Sequence, residues 1–123
     1  MSAAANIVVA LVGLIHVYIL ILEMFLWDKP QGMKAFGLTP QKAAETKVLG
    51  ANQGLYNGFL AAGLFWGLVL GGQQGHSFKV FFLICVLVAG LYGAATASKR
   101  ILWVQALPAA IGLLLVILAA VNP

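Results

Sequence analysis

The stretch Ala51–Ala62 reads ANQGLYNGFLAA, and its side chains decide the class of fold. At helical spacing Asn52 and Tyr56 lie one turn apart on one face, and Gln53 and Asn57 pair in the same way. Gly50, Gly54, Gly58 and Ala62 recur every four residues as a third stripe, where the backbone of a neighbouring helix can come close. The sequence on either side is apolar, so these amides fall where little water is available. Polar groups in hydrocarbon need partners, and small residues let partners approach. The pattern predicts a helix that spans a membrane and packs through its glycines.

The composition agrees. Of 123 residues, 63% are hydrophobic and 8% charged, whereas soluble domains carry roughly 45–50% and about 25%. A soluble fold of this size lacks the interior to hide so much apolar surface, so the rest must face lipid. The net charge of +4 comes from basic residues too few and too dispersed for a phosphate-binding track, and no nucleic-acid partner is expected. Cys85 is the single cysteine; it reads as a small apolar residue, and no intramolecular disulfide can form.

Four spans are expected, at about residues 6–27, 48–70, 78–97 and 101–121, in an all-α integral membrane bundle that forms one domain over residues 1–123. The first is interrupted by His16, Tyr18 and Glu23 and closes on Trp27 at interface depth. It lacks the basic leader and small cleavage-site residues of a signal peptide, so it is expected to stay as a spanning helix. Asp28 to Pro40 is a connector apolar enough to lie along the membrane surface. Thr39–Pro40 reads as an N-cap followed by proline at the first helical position, so the second helix is expected to begin there, outside the bilayer, and to run through Gln41, Lys42, Glu45 and Lys47 into its span. Gly71, Gly72 and Gly75 close the second span, and Gln73 to Ser77 are expected to form a short loop. Pro108 removes a backbone donor near the start of the fourth span and is expected to kink it, freeing the carbonyl of Val104.

Lys29, Lys34, Lys42, Lys47, Lys99 and Arg100 fall in the connectors after the first and third spans, against Lys79 alone on the opposite side. That asymmetry predicts both termini extracytoplasmic, in the cytoplasmic membrane. Glu23, Asn52, Gln53, Tyr56, Asn57, Tyr92, Trp103 and Gln105 then all approach the cytoplasmic half, while the outer half is almost wholly apolar and reads as a sealed end.

Glu23 is the candidate proton donor or acceptor. A carboxylate within hydrocarbon is expensive unless it is neutral, paired or in a wet cavity. His16 shares its face two turns away, about 10 Å deeper, and reads as a hydrogen-bonded core histidine or a proton relay. One histidine makes a poor metal site, and neither a metal nor a cofactor is expected. Asn52, Gln53, Tyr56 and Asn57 are candidate ligand contacts, together with Tyr92 and Gln105. Trp27 and Trp103 read as interface anchors or as an aromatic wall for a ligand. Gly50, Gly54 and Gly58 offer a surface for homo-oligomerisation.

The run from His16 through Glu23-Met-Phe-Leu-Trp27, with the block Asn52-Gln-Gly-Leu-Tyr-Asn-Gly-Phe-Leu-Ala61, resembles a family of small bacterial membrane proteins known as a domain of unknown function. The resemblance covers nearly the whole chain and implies a four-helix membrane protein; it implies no activity. Three functional classes therefore stand open. The first is binding or transport of a small or amphipathic molecule through a cytoplasm-facing pocket around Glu23. The second is a membrane enzyme of isomerase or hydrolase type with Glu23 as general acid or base. The third is a structural or regulatory partner without a small ligand. No phosphate loop, paired-cysteine motif or nucleophile elbow appears.

Overall fold

The computed structural model describes residues 2–122. The described residues are helical apart from short turns, with α1 Ser2–Met24, α2 Pro30–Phe36, α3 Pro40–Glu45, α4 Lys47–Leu70, α5 Gly72–Thr96 and α6 Leu107–Val121, the last preceded by a π-helical turn at Leu102–Ala106. Four of these stretches are long and apolar enough to cross a bilayer: Ser2–Met24, Lys47–Leu70, Gly72–Thr96 and Leu102–Val121. The chain is a multi-pass membrane protein.

It divides into two compact units, one combining Met1–Gly13 with Leu60–Pro123, the other being Leu14–Phe59. The first unit has a continuous apolar core. Ala5, Val9 and Val12 of α1 meet Leu64 of α4, Leu83 and Val86 of α5, and Ala109 and Val116 of α6. Large residues pointing away from it, such as Ile7, Phe81 and Leu114, are exposed, as expected where the solvent is lipid. Small residues set the helix spacing: a Cβ on Gly90 of α5 would sit 2.7 Å from the backbone nitrogen of Ala106.

Two departures from expectation lie in this unit. The loop expected at 73–77 is absent, because α5 begins at Gly72. Gly71 and Gly72 take φ of 61° and 58°, the left-handed region that glycine enters freely, so two residues suffice to reverse the chain. Helices α4 and α5 then pack closely at once; a Cβ on Gly75 would lie 2.5 Å from the Gly67 carbonyl oxygen. The second departure concerns Pro108. Instead of a simple kink, the preceding turn widens into the π-helical stretch, where the amide of Leu107 bonds the carbonyl of Leu102. A wider turn accommodates the donor that proline lacks.

The second unit contains the later part of α1, the connector and the first half of α4. Helix α1 ends at Met24, three residues short of the expected boundary, so Trp27 lies in a turn. Pro30 starts α2, and Gly37, with φ of 64°, ends it. Thr39 is an N-cap as expected, its hydroxyl accepting from the Lys42 amide at 3.1 Å, but the helix it starts is the separate α3 and not the second span, which begins at Lys47. Helix α3 stops at Thr46, whose hydroxyl donates to the Lys42 carbonyl at 2.7 Å.

Candidate functional site

The glycine stripe fixes the rotation of α4 within the second unit. A Cβ on Gly50 would meet the Trp27 ring at 2.5 Å, one on Gly54 would meet Met24 at 2.5 Å and Glu23 at 3.0 Å, and one on Gly58 would meet Leu20 at 2.6 Å. The stripe is therefore covered by the chain's own α1 and the turn after it. That corrects the reading of Gly50, Gly54 and Gly58 as a homo-oligomer surface, because their face is already occupied.

Rotation then sorts the polar residues. At about 100° per residue, Asn57 lies about 60° from the Gly54 direction, whereas Asn52 and Tyr56 lie about 160° from it. Asn57 is half-buried and donates from Nδ2 to Glu23 Oε1 at 2.6 Å. Asn52 and Gln53 are exposed, and Tyr56 is 65% exposed with its ring edge-on to Phe59. The expected cluster of Glu23 with Asn52, Tyr56 and Asn57 thus contracts to Glu23 and Asn57.

Glu23 is 3% exposed and His16, on the same face of α1, is fully buried. No buried side-chain nitrogen or oxygen among the described residues lacks a hydrogen-bond partner. Glu23 accepts from an amide, and among the described residues an ion pair of this unit joins Lys47 to Asp28 at 2.9 Å. Such a carboxyl has two workable states. Ionised, it accepts from Asn57; protonated, it can still accept at one oxygen and donate at the other. Among the described residues no three His, Cys, Asp or Glu side chains converge.

Trp27 is not an outward-facing anchor. It is 7% exposed, its ring packs at 4.9 Å on Phe36 of α2, and its Nε1 donates to Thr46 Oγ1 at 3.1 Å. Its position ties the connector to the start of α4, one turn beyond the Glu23–Asn57 bond on the same glycine face. Lys47 reinforces that tie, and its hydrogen bond holds the Asp28 carboxyl below the usual carboxylate range. Gly32 lets α2 dock, since a Cβ there would overlap the Leu26 carbonyl.

Tyr92, Trp103 and Gln105 belong to the first unit. Tyr92 and Trp103 are exposed and Gln105 is partly buried; Trp103 borders an apolar groove of about 270 Å³ beside the π-helical turn, with Leu87, Leu91 and Leu107. The same unit holds a feature that the sequence reading missed. A cavity of about 430 Å³ is lined by Asn6 of α1, Leu68 of α4, Gln73, His76 and Lys79 of α5, and Val116 and Ala119 of α6. Lys79 Nζ donates to Asn6 Oδ1 at 2.9 Å. This end of the unit is neither sealed nor wholly apolar. A lone lysine inside an apolar run is the available signal; the expected loop at 73–77 separates Gln73 and His76 from it, whereas α5, starting at Gly72, carries all three.

The match to known proteins is to a family model described as protein of unknown function (DUF1304), over residues 10–117. The chain belongs to the DUF1304 family. It is also 31% identical over 97 residues to the uncharacterized protein YpaA of Lactococcus lactis subsp. lactis (strain IL1403), covering 77% of this chain and 81% of that protein. No solved structure matches it. The matched region contains Glu23, Asn57 and Trp27, but the family description assigns no activity to them.

Proposed function

We propose that this DUF1304 protein lies in the cytoplasmic membrane with both termini outside, and binds or transports a small or amphipathic molecule at Glu23. The orientation rests on the six basic residues of the two connectors against Lys79. The observation that carries the functional reading is the Glu23–Asn57 bond: a 3% exposed carboxyl within a spanning helix, held by an amide. Ionisable groups kept inside membrane segments are expensive and mark ligand or proton pathways by default. A purely structural pair of helices needs no carboxyl, because an amide or hydroxyl there supplies the same bond at lower desolvation cost.

In this reading the molecule enters from the cytoplasmic side and competes with Asn57 for Glu23, and the carboxyl gains or loses a proton as it does so. Entry requires the connector carrying α2 and α3 to shift, since the pair is closed. Two contacts, Trp27 to Thr46 and Asp28 to Lys47, hold that connector in place.

Infrared difference spectroscopy of the protein in lipid nanodiscs, with Glu23→Gln as control, tests the reading. Tetraphenylphosphonium, octylamine and decanol serve as probes of different charge. A carboxyl band assigned to Glu23 that changes with one of them supports binding at this site. A band indifferent to all three removes Glu23 from any ligand path.

A further inference from the structure

The cavity of the first unit differs from the Glu23 region in charge and in composition. Its polar lining comes from Lys79, His76 and Gln73 of α5, with Asn6 and Ser2 of α1. Ala5, Leu68, Val116 and Ala119 add apolar lining. All three acidic side chains of the chain, Glu23, Asp28 and Glu45, fall in the other unit. Lys79 is therefore a half-buried cation in a unit with no acidic side chain, and it donates to the neutral amide of Asn6.

A cation on a spanning helix is costly, and it is normally retained where it meets an opposite charge or water. Asn6 supplies one acceptor, while an ammonium has three donors. His76 and Gln73 add side chains that can donate towards the same space. The volume of about 430 Å³ lies at the lower end of the roughly 300–1,000 Å³ of small-molecule sites. Donors in a unit without acidic side chains, together with hydrocarbon lining, are complementary to an oxyanion that carries an apolar tail.

We propose that this cavity binds an anionic amphiphile, with Lys79 and His76 holding a carboxylate or phosphate head and Leu68, Val116 and Ala119 receiving the start of its chain. Two sources offer that chemistry, the headgroup of an anionic membrane lipid and a free fatty acid. The site is distinct from Glu23, which lies in the last turn of α1 whereas Asn6 lies near its first.

The test uses the full chain in phosphatidylcholine nanodiscs, with calorimetric titration of decanoate, decanol and inorganic phosphate. A parallel arm measures, by native mass spectrometry, retention of phosphatidylglycerol from mixed nanodiscs. Decanoate is expected to bind at least about tenfold more tightly than decanol, because a charge-assisted bond is lost with the neutral head. Lys79→Gln is expected to abolish that preference and Lys79→Arg to keep it. Decanoate binding with this Lys79 dependence identifies a free acid as sufficient. Phosphatidylglycerol retention with the same dependence, without decanoate binding, identifies the lipid headgroup. Equal binding of decanol and decanoate, together with phosphatidylglycerol retention indifferent to Lys79→Gln, overturns the proposal; so does binding of inorganic phosphate alone, which leaves the tail without a role. Should Lys79→Gln fail to fold, the wild-type contrast between decanoate and decanol and the Lys79→Arg variant decide the matter.

Discussion

Replacing Asn57 by leucine tests the central contact with little change in side-chain size. The amide lies 2.6 Å from a Glu23 oxygen whose side chain is 3% exposed. Removing the donor leaves a buried acceptor short of its partner, a loss of about 1–3 kcal/mol in protein interiors. Interhelical hydrogen bonds in membranes average about 0.6 kcal/mol and reach about 1.7, because the unfolded chain in the bilayer also finds partners. The ranges overlap near about 1.5 kcal/mol, which is the expected cost of Asn57→Leu and roughly a tenfold change in the folding equilibrium. The double variant Glu23→Leu/Asn57→Leu removes donor, acceptor and the desolvation cost together, so it should be more stable than Asn57→Leu alone. Unfolding in mixed micelles titrated with dodecyl sulfate measures both, with Trp27 fluorescence as the signal. Trp66 and Trp103 are exposed and can be replaced by phenylalanine beforehand. Losses that simply add, with a coupling below about 0.3 kcal/mol, would refute the reasoning, because independent sites behave that way.

Three further predictions use the same unfolding measurement. Gly50→Ala places a Cβ 2.5 Å from the Trp27 ring; it should cost about 1–3 kcal/mol by overpacking and shift Trp27 emission to the red as the ring is displaced into water. Gly90→Ala meets backbone atoms of Ala106, at 2.7 and 2.9 Å, which cannot rotate aside. It should destabilise the first unit by a similar amount of about 1–3 kcal/mol while leaving Trp27 emission of the folded protein unchanged. Asp28→Asn removes the ion pair with Lys47, which holds the Asp28 carboxyl below its ordinary range. A depressed folded value means that the stabilisation is present above the unfolded carboxylate range of about 4 and fades as pH falls through the folded one. The small penalty of Asp28→Asn at neutral pH should therefore vanish in acid, and a penalty that grows on acidification contradicts the assignment.

Contiguous residues sufficed for the class of fold. Apolar runs of spanning length mark the four membrane helices because a bilayer imposes its thickness on each segment separately. The helix start at Thr39–Pro40 was legible for the same reason, since a cap is made by residues three apart, whereas the break at Thr46 that parts α3 from the span was not. Boundaries were less so. Gly71 and Gly72 reverse the chain in two residues, whereas glycine spacing alone is equally compatible with a longer loop.

Partner choice was decided only in three dimensions. Within α4, Asn52, Gln53, Tyr56 and Asn57 look equivalent as polar residues in an apolar run, and only the rotation of the helix distinguishes them. The glycine stripe sets that rotation, because its close approach to Trp27, Glu23 and Leu20 turns Asn57 inward and Asn52 and Tyr56 outward. Trp27 was misplaced because an indole after a spanning run usually anchors at the interface, and nothing local announces that Phe36 and Thr46 enclose it. The cavity around Lys79 brings together residues from α1, α4, α5 and α6 that lie far apart in the chain. Hydropathy and periodicity act within a segment, so the sequence by itself determined which segments cross the membrane. Which side chains meet depends on how each helix is rotated against its neighbours, and packing between segments alone sets that.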